Sequence, residues 1–368
     1  MLHVPSVSLK TSDPPTAPVF FNPAAHLNRD VSVLLTESTR GTTFCDSLCG
    51  IGSRGVRIAK EVHRPMKVTF VDFNEDALLI ARKNVAANRV LGSCSLVHAE
   101  ATTFLCSRFR RVQKYDYVDI DPFGTPASFL QAAFVAASDG ATVSITATDT
   151  AVLCGVYPEV SVRRYSAVPL KSEFKHEVGV RILVNASRRA AAINDLGVEP
   201  VLAHSTKHYI RVYLRVVLGA RAADRSAQNE GYVIKCRKCR HVQSSRKQMD
   251  RCPKCRSTVV PAGPLWIGPL VDPKILTKSI SASDERGFRD AGKLLRSLVG
   301  VNDFPPYSYA LDRMTAELRV PGVSDSLVAQ QLMNNGHKSM RQPFEKTGLK
   351  TDADYSEVVA AVRAISLK

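Results

Sequence analysis

The chain has 368 residues, more than one typical domain, and is expected to divide into two or three. Apolar residues make up 45% and charged residues 23%, an ordinary globular composition that excludes a disordered chain, and no apolar run of about 18 residues is present to span a bilayer. A net charge of +16 with a pI near 9.6 points to a polyanionic partner: RNA, DNA or an acidic membrane surface.

The first 18 residues carry no basic segment followed by an apolar stretch, so they do not read as a signal peptide; their Pro and Ser content suggests a loose leader. From about Thr42 to Val217, strand-like and helix-like runs alternate. Thr43-Phe44-Cys45-Asp46 reads as a strand, followed by a Gly-rich turn and a helical stretch through Val62. Val68–Val71 is the next strand, ending at Asp72, and Asn74 is placed to cap the helix that follows. Ser95–His98, Tyr117–Ile120 and Thr142–Ile145 read as strands, with the Ala-rich segment Pro126–Ser138 as the helix between the last two. Tyr209–Val216 alternates cleanly enough for a late strand. This order predicts a doubly wound parallel sheet. Composition changes near Ala220, and after Pro261–Pro269 helical periodicity resumes around Ala310–Leu318 and Ser324–Met333, with no internal repeat.

Gly50-Ile51-Gly52-Ser53-Arg54-Gly55 fits GxGxxG between a strand and a helix, and Asp72 lies 20 residues beyond Gly52. Glycines let the backbone approach a ligand, and an acid at the second strand's end accepts from ribose hydroxyls. Alone, this pattern suits a nicotinamide dinucleotide about as well as S-adenosylmethionine. Two features favour the latter. Asp46, four residues before the loop, stands where an acid would face the sulfonium and amino-acid moiety, whereas in a dinucleotide enzyme it would face pyrophosphate. The second is Asp121-Pro122-Phe123-Gly124 at the end of the fourth strand, which resembles the acid-Pro-Pro-aromatic signature of amino-directed methyltransferases. An exocyclic guanine amine is a poor nucleophile because its lone pair is delocalised into the ring. Asp121 can accept one N–H, the Pro122 carbonyl can accept the other, and Phe123 can stack on the extruded base. Asp119 shares a strand face with Asp121 and reads as a supporting acid.

Cys236-x2-Cys239 and Cys252-x2-Cys255 are separated by twelve residues. Four thiolates in this spacing close a tetrahedral Zn²⁺ site with no open position, so the metal is expected to be structural. Cys45, Cys94, Cys106 and Cys154 read as small core residues, and nine cysteines of which four are metal-like suggest a reducing cytoplasm. Residues 221–260 hold 11 Lys and Arg against three Asp and Glu, leaving a charge of about +6 with the metal bound, enough to grip RNA phosphates. Lys171, Lys175, Arg188 and Arg189 are candidates to extend that track.

Longer strings carry a more specific likeness. They are Phe21-Asn22-Pro23 with Leu27-Asn28-Arg29-Asp30, the Gly50–Arg57 loop, Tyr117-Val118-Asp119-Ile120-Asp121-Pro122-Phe123-Gly124 and Thr146-Ala147-Thr148-Asp149-Thr150. Cys154-Gly155-Val156-Tyr157-Pro158, Arg163-Arg164-Tyr165, His176-Glu177-Val178-Gly179 and His208-Tyr209-Ile210-Arg211-Val212 continue them. From Phe20 onward the chain resembles the tRNA (guanine-26-N2) dimethyltransferases, most closely the archaeal form. The resemblance implies a class I, Rossmann-like methyltransferase sheet with a zinc-ribbon segment and a smaller C-terminal α+β domain. It also implies transfer of one or two methyl groups from S-adenosylmethionine to guanine N2 at the junction of two tRNA stems. By this likeness Arg29, Arg54 and Asp72 bind the cofactor, joined by the Glu100-Ala101 pair, where the family usually has Asp before Ala. Cys49 stands where the loop often has Ala.

The expected division is a methyltransferase domain over residues 1–222, a basic zinc segment over 223–265 and a tRNA-contacting domain over 266–368, small and helical or winged. The expected partner is tRNA, with no membrane and no obligate protein partner evident. Competing readings are an amino methyltransferase acting on another RNA or DNA position, a non-catalytic zinc-ribbon RNA binder, and an oxidoreductase.

Overall fold

A computed structural model describes residues 1–11, 18–109, 113–206 and 208–366. In chain order come α1 (His26–Ser38), β1 (Thr43–Asp46), α2 (Ser53–Glu61), β2 (Lys67–Asp72), α3 (Glu75–Ala87) and β3 (Cys94–His98). Then follow α4 (Ala101–Cys106), β4 (Tyr115–Ile120), α5 (Leu130–Ala136), β5 (Ala137–Ala147), α6 (Thr150–Leu153), α7 (Pro158–Tyr165) and α8 (Lys175–Ala192). A hairpin of β6 (Leu196–Thr206) and β7 (Tyr209–Leu218) completes a seven-stranded sheet in the order β3-β2-β1-β4-β5-β7-β6. The strands are parallel except β7, which runs antiparallel to both neighbours. The order reverses beside β1, so the carboxyl ends of β1, β2 and β4 open one crevice.

Two expectations shift. The helix expected over Pro126–Ser138 is confined to α5 after a short 3₁₀ turn, and residues 137 and 138 already belong to β5. Ala137 pairs with Tyr115, and Ser138 Oγ donates to the Tyr115 carbonyl at 3.1 Å, which draws this end into the sheet. β6 is not evident from sequence because Gly197 and Pro200 interrupt its pattern. It is the edge strand, where a proline costs no ladder hydrogen bond, and its register shifts between Pro200 and Leu202.

The leader is not loose over its first residues. Buried Asn84 of α3 and Asn88, which caps its C-terminus, donate to the carbonyls of His3 (3.0 Å) and Met1 (2.7 Å), and Leu2 packs beside the core under α2. Residues 12–17 of that leader lie outside the described residues.

After α9 (Ala220–Ala227), strands β8 (Glu230–Lys235), β9 (Val242–Ser245) and β10 (Ala262–Trp266) form a small antiparallel sheet, with β8 central. It sits against α8, where Arg181 donates to the Trp266 carbonyl at 3.0 Å. Arg188, a candidate for the RNA track, is instead buried and paired with Glu230. Helices α10 (Pro273–Glu285) and α11 (Arg289–Ser297) pack on α1. A winged unit follows: α12 (Leu311–Leu318), α13 (Asp325–Asn334), the hairpin β11 (Ser339–Arg341) and β12 (Leu349–Thr351), and α14 (Tyr355–Ser366). Lys350 of that hairpin is fully buried on Glu177 of α8, at 2.7 and 2.9 Å, and donates to the carbonyls of Pro305 and Tyr307. Arg181 shares Glu177, so this buried carboxylate is fully compensated and pins the winged unit to the large sheet.

Candidate active site

The glycine loop runs from β1 into α2. Gly52 takes the left-handed conformation (φ 74°), which glycine adopts without strain, and a Cβ on Gly55 would stand 2.4 Å from the Phe70 ring. Asp72, at the end of β2, accepts from the backbone N–H of Gly50 at 2.7 Å and of Asn74 at 2.9 Å, so it shapes the loop from beneath. Asp46 is buried and accepts from Gly55 N at 3.1 Å; burial, and then the nearby Asp119 carboxylate, push its pKa up. Glu100 is exposed and caps α4 through Thr102 N (2.8 Å) and Thr103 N (2.7 Å), with Ala101 buried behind it. Against a small burial cost, those two N–H groups hold the Glu100 carboxyl below the usual range. Arg29 lies over the Phe21 ring at 5.1 Å and donates to the carbonyls of Asn22 (3.2 Å) and Pro23 (3.3 Å). Burial and then the Arg54 charge lower its pKa to about 10, leaving it a cation at neutral pH.

Period-two alternation puts Asp119 and Asp121 of the β4 end, Ser144 and Thr146 of β5, and Arg211 and Tyr213 of β7 on one sheet face, beneath α1. The register pairs Asp119 with Ser144 and Thr146 with Arg211. Arg211 is fully buried, ion-paired with Asp119 and hydrogen-bonded to Thr146 Oγ1 and, at 2.8 Å, to the Tyr213 hydroxyl. Arg54 enters from α2, with Nε 3.0 Å from Asp119, Nη1 donating to Asn28 Oδ1 at 2.8 Å, and Nη2 paired with Asp121. A line of alternating charge results: Arg211, Asp119, Arg54, Asp121. Burial works against ionising Asp119, yet Arg211 and Arg54 together hold its carboxyl below the ordinary range. Asp119 is therefore spent inside the fold, whereas the Asp121 side chain at the strand tip is 31% exposed.

Phe123, two residues on, is 61% exposed, and the Phe20 ring meets it edge-on at 4.6 Å. The segment carrying Phe20 crosses from the glycine-loop side: Asn74 donates to the Pro18 carbonyl at 2.8 Å, and Val19 and Phe21 pack on Ile51 and Ala77. Of the residues singled out in the sequence, the fold brings Arg54 and Asp121 into direct contact and sets Arg29, Asp72 and Glu100 around the same sheet end. Phe20 and Arg211 were not anticipated as site residues. Arg211 left no distinguishing signal, because Arg215 four residues on has the same place in the alternation yet is only half-buried, and Phe20 left only its place beside Phe21.

The four cysteine sulfurs Cys236, Cys239, Cys252 and Cys255 lie within 4.8 Å of one another, with Cys236–Cys255 at 3.5 Å and Cys239–Cys252 at 3.6 Å. Zn–S bonds of about 2.3 Å place tetrahedral sulfurs roughly 3.8 Å apart, so the donors fit zinc in number, chemistry and spacing. The Ser257 hydroxyl lies 3.1 Å from Cys236 Sγ and 3.0 Å from Cys255 Sγ, a hydrogen-bond donor for thiolate charge. Around the cluster, Arg237, Lys238, Arg246, Lys247, Arg251, Lys254 and Arg256 are exposed. Of the four cysteines expected in the core, Cys45 and Cys154 are buried, Cys94 is half-buried, and Cys106 is exposed on the last turn of α4; Cys49 of the loop is buried as well.

A family model described as N2,N2-dimethylguanosine tRNA methyltransferase matches residues 3–363. A tRNA (guanine(26)-N(2))-dimethyltransferase of Methanobrevibacter smithii is 33% identical over 362 residues, covering 95% of this chain and 92% of the relative. One from Methanopyrus kandleri is 35% identical over 365 residues, covering 97% and 94%. Among solved structures, Trm1 from Pyrococcus horikoshii in complex with S-adenosyl-L-methionine superposes with a TM-score of 0.84 at 31% identity, covering 94% of this chain and 96% of that one. With its methyltransferase sheet, its four-cysteine ribbon and near-complete coverage of these relatives, the chain belongs to the N2,N2-dimethylguanosine tRNA methyltransferase family.

Proposed function

We propose that this chain transfers one or two methyl groups from S-adenosylmethionine to N2 of guanine 26 in tRNA, with Asp121 and Phe123 acting on the base. The observation that carries the reading is Asp121: it is the half-open end of an otherwise buried charge line, beside an exposed aromatic ring and the glycine loop. Bound S-adenosylmethionine supplies an electrophilic methyl group. The residues suited to hold it are Arg29 for its carboxylate, Arg54 at the loop, Asp72 for the ribose hydroxyls, and Glu100-Ala101 for the adenine. Asp72 and Glu100 already accept backbone N–H groups, and each carboxylate oxygen keeps a second lone pair for a ligand hydroxyl or amine.

Asp121 accepts an N–H of the guanine amine and stabilises the positive charge that develops on nitrogen, while the Pro122 carbonyl takes the other N–H. Phe123 and Phe20 meet edge-on, and a base extruded from its stem can part them and stack on Phe123. The basic ribbon grips phosphates of the tRNA body, and the winged unit adds to that contact. No helix among the described residues is long and apolar enough to cross a membrane, and nine unpaired cysteines suit a reducing cytoplasm.

Incubation with methyl-tritiated S-adenosylmethionine and unmodified tRNA, followed by nucleoside analysis, tests the reading. Label in N2-methyl- or N2,N2-dimethylguanosine at position 26 supports it; label in another nucleoside, or none, overturns it. Asp72→Ala is expected to weaken S-adenosylmethionine binding by about 1–3 kcal/mol, the value of a charge-assisted hydrogen-bond set. Titration calorimetry measures this directly, and an unchanged affinity defeats the ribose assignment.

A further inference from the structure

Apart from Thr146, which meets Arg211, two strings conspicuous in the sequence, Thr146-Ala147-Thr148-Asp149-Thr150 and Arg163-Arg164-Tyr165, have no part in the chemistry above. The fold closes both onto the loop that carries Asp121, Pro122 and Phe123. Gly124, at φ 73°, donates to Thr148 Oγ1 at 2.7 Å, and its carbonyl accepts from the backbone N–H of Thr148 (2.9 Å) and of Asp149 (3.1 Å). One residue on, Thr125 Oγ1 lies 2.8 Å from the Tyr165 hydroxyl, and that hydroxyl lies 2.8 and 3.0 Å from the two Asp149 oxygens. Tyr165 has one proton to give, and the carboxylate can only accept it, so Thr125 is the donor to Tyr165. Arg164 balances the Asp149 charge at 3.1 Å.

The acceptor loop is thus held at both ends, by Arg54 on Asp121 and by this group on Gly124 and Thr125. Between the two holds lie Pro122 and Phe123. Phe123 is mostly exposed, so its own packing restrains it little. The buried hydroxyl and carboxylate behind the loop are a costly arrangement for a surface turn, and they are placed where they limit how far the Pro122 carbonyl and the Phe123 ring can move.

We propose that Asp149, Tyr165 and Thr125 are positioning residues: a hydrogen-bonded bracket that sets the pose of the Pro122 carbonyl and the Phe123 ring against the target base. The bracket acts through the loop, and this role rests on the function proposed above. A misplacement of about 1 Å at such a site costs up to about 10²-fold in rate, whereas the cofactor pocket, on the other side of Arg54, is left as it was.

The test compares the wild-type enzyme with Tyr165→Phe, Thr125→Val, Thr125→Ser and the Tyr165→Phe/Thr125→Val double variant on unmodified tRNA. Tyr165→Phe and Thr125→Val are each expected to lower kcat about tenfold, and the double variant to lose little more than either, because all three remove the same link. Thr125→Ser keeps the hydroxyl and should stay within about twofold of wild type, and the affinity for S-adenosylmethionine by calorimetry should hold within about twofold throughout. A tRNA carrying 2-aminopurine at position 26 gives a readout that a purely stabilising role would not move: its fluorescence should be quenched less by the Tyr165→Phe protein, because the base stacks less well on Phe123. Unchanged kcat in both single variants, additive losses in the double variant, or equal impairment of Thr125→Ser and Thr125→Val would overturn the bracket. Should Tyr165→Phe fail to fold, the Thr125→Ser and Thr125→Val pair decides alone. Wild-type protein that leaves guanine 26 unmethylated defeats the proposed function itself, an outcome distinct from normal methylation by wild type and variants alike.

Discussion

Asp121→Ala is expected to cut single-turnover methyl transfer by roughly 10²–10³-fold, with S-adenosylmethionine affinity within a few-fold of wild type. The size follows from the chemistry: a neutral arylamine gains positive charge as it is methylated, and a preorganised carboxylate is worth most where that charge develops. The selectivity follows from the geometry. Arg54 loses one partner but keeps Asp119 at 3.0 Å and Asn28 at 2.8 Å, so the glycine loop stays anchored. Asp119→Ala makes the contrast. Its carboxylate lies between two guanidinium groups, and removing it leaves fully buried Arg211 without its ion-pair partner. Breaking a buried pair in this way costs about 3–5 kcal/mol, so this variant is expected to fail first in thermal or urea unfolding and only secondarily in rate. Rapid-quench kinetics with calorimetry for the first variant and equilibrium unfolding for the second separate the two roles. Retained turnover in Asp121→Ala would move the acceptor role to another group.

The parts legible in the sequence were those whose signal is local. The Gly50–Gly55 loop, the helix cap at Asn74 and the paired CxxC turns each announce a backbone shape or a ligand set within a few residues, and the fold places each as expected. Long family strings extended that reading to the family itself, which the family model and the relatives bear out. What stayed hidden depends on partners far apart in the chain. Arg211 meets Asp119 across 92 residues, and Lys350 meets Glu177 across 173. Buried charges of this kind look like surface residues until the partner is known, because their desolvation is offset only by contacts formed in three dimensions. Arg188 is a case of the same kind: helical sequence alone does not say which way it faces, and Glu230 of the ribbon pairs with it and takes it out of the RNA track. Strand β6 was hidden by Gly197 and Pro200, which break a strand's pattern and are tolerated at a sheet edge.

Cys252→Ser is expected to release a zinc ion that purified wild-type protein holds at about one per chain. With four thiolates around it, the metal has no open position and cannot activate water or substrate; its binding energy, on the order of 10 kcal/mol, goes into folding the segment between β8 and β10. That segment has little else to hold it. Its own apolar cluster is Ile234, Val259 and the cysteines Cys236 and Cys252 themselves, so loss of the metal removes most of its core. The basic residues displayed around the cluster then lose their common orientation. Two of its outward contacts go as well, Arg240 to Glu317 and Lys254 to Asp354, which tie the segment to the winged unit. The variant should therefore bind tRNA at least about tenfold more weakly, with a log–log salt slope shallower by about 3, because fewer phosphates are neutralised. S-adenosylmethionine affinity should not change, since among the described residues no hydrogen bond links the glycine loop or Asp72 to the ribbon. Elemental analysis of chelator-free protein, filter binding of tRNA across a salt series and cofactor calorimetry test these three statements. Protein without zinc would defeat the metal site, and a zinc-free variant with wild-type tRNA affinity and salt slope would remove the ribbon from the RNA interface.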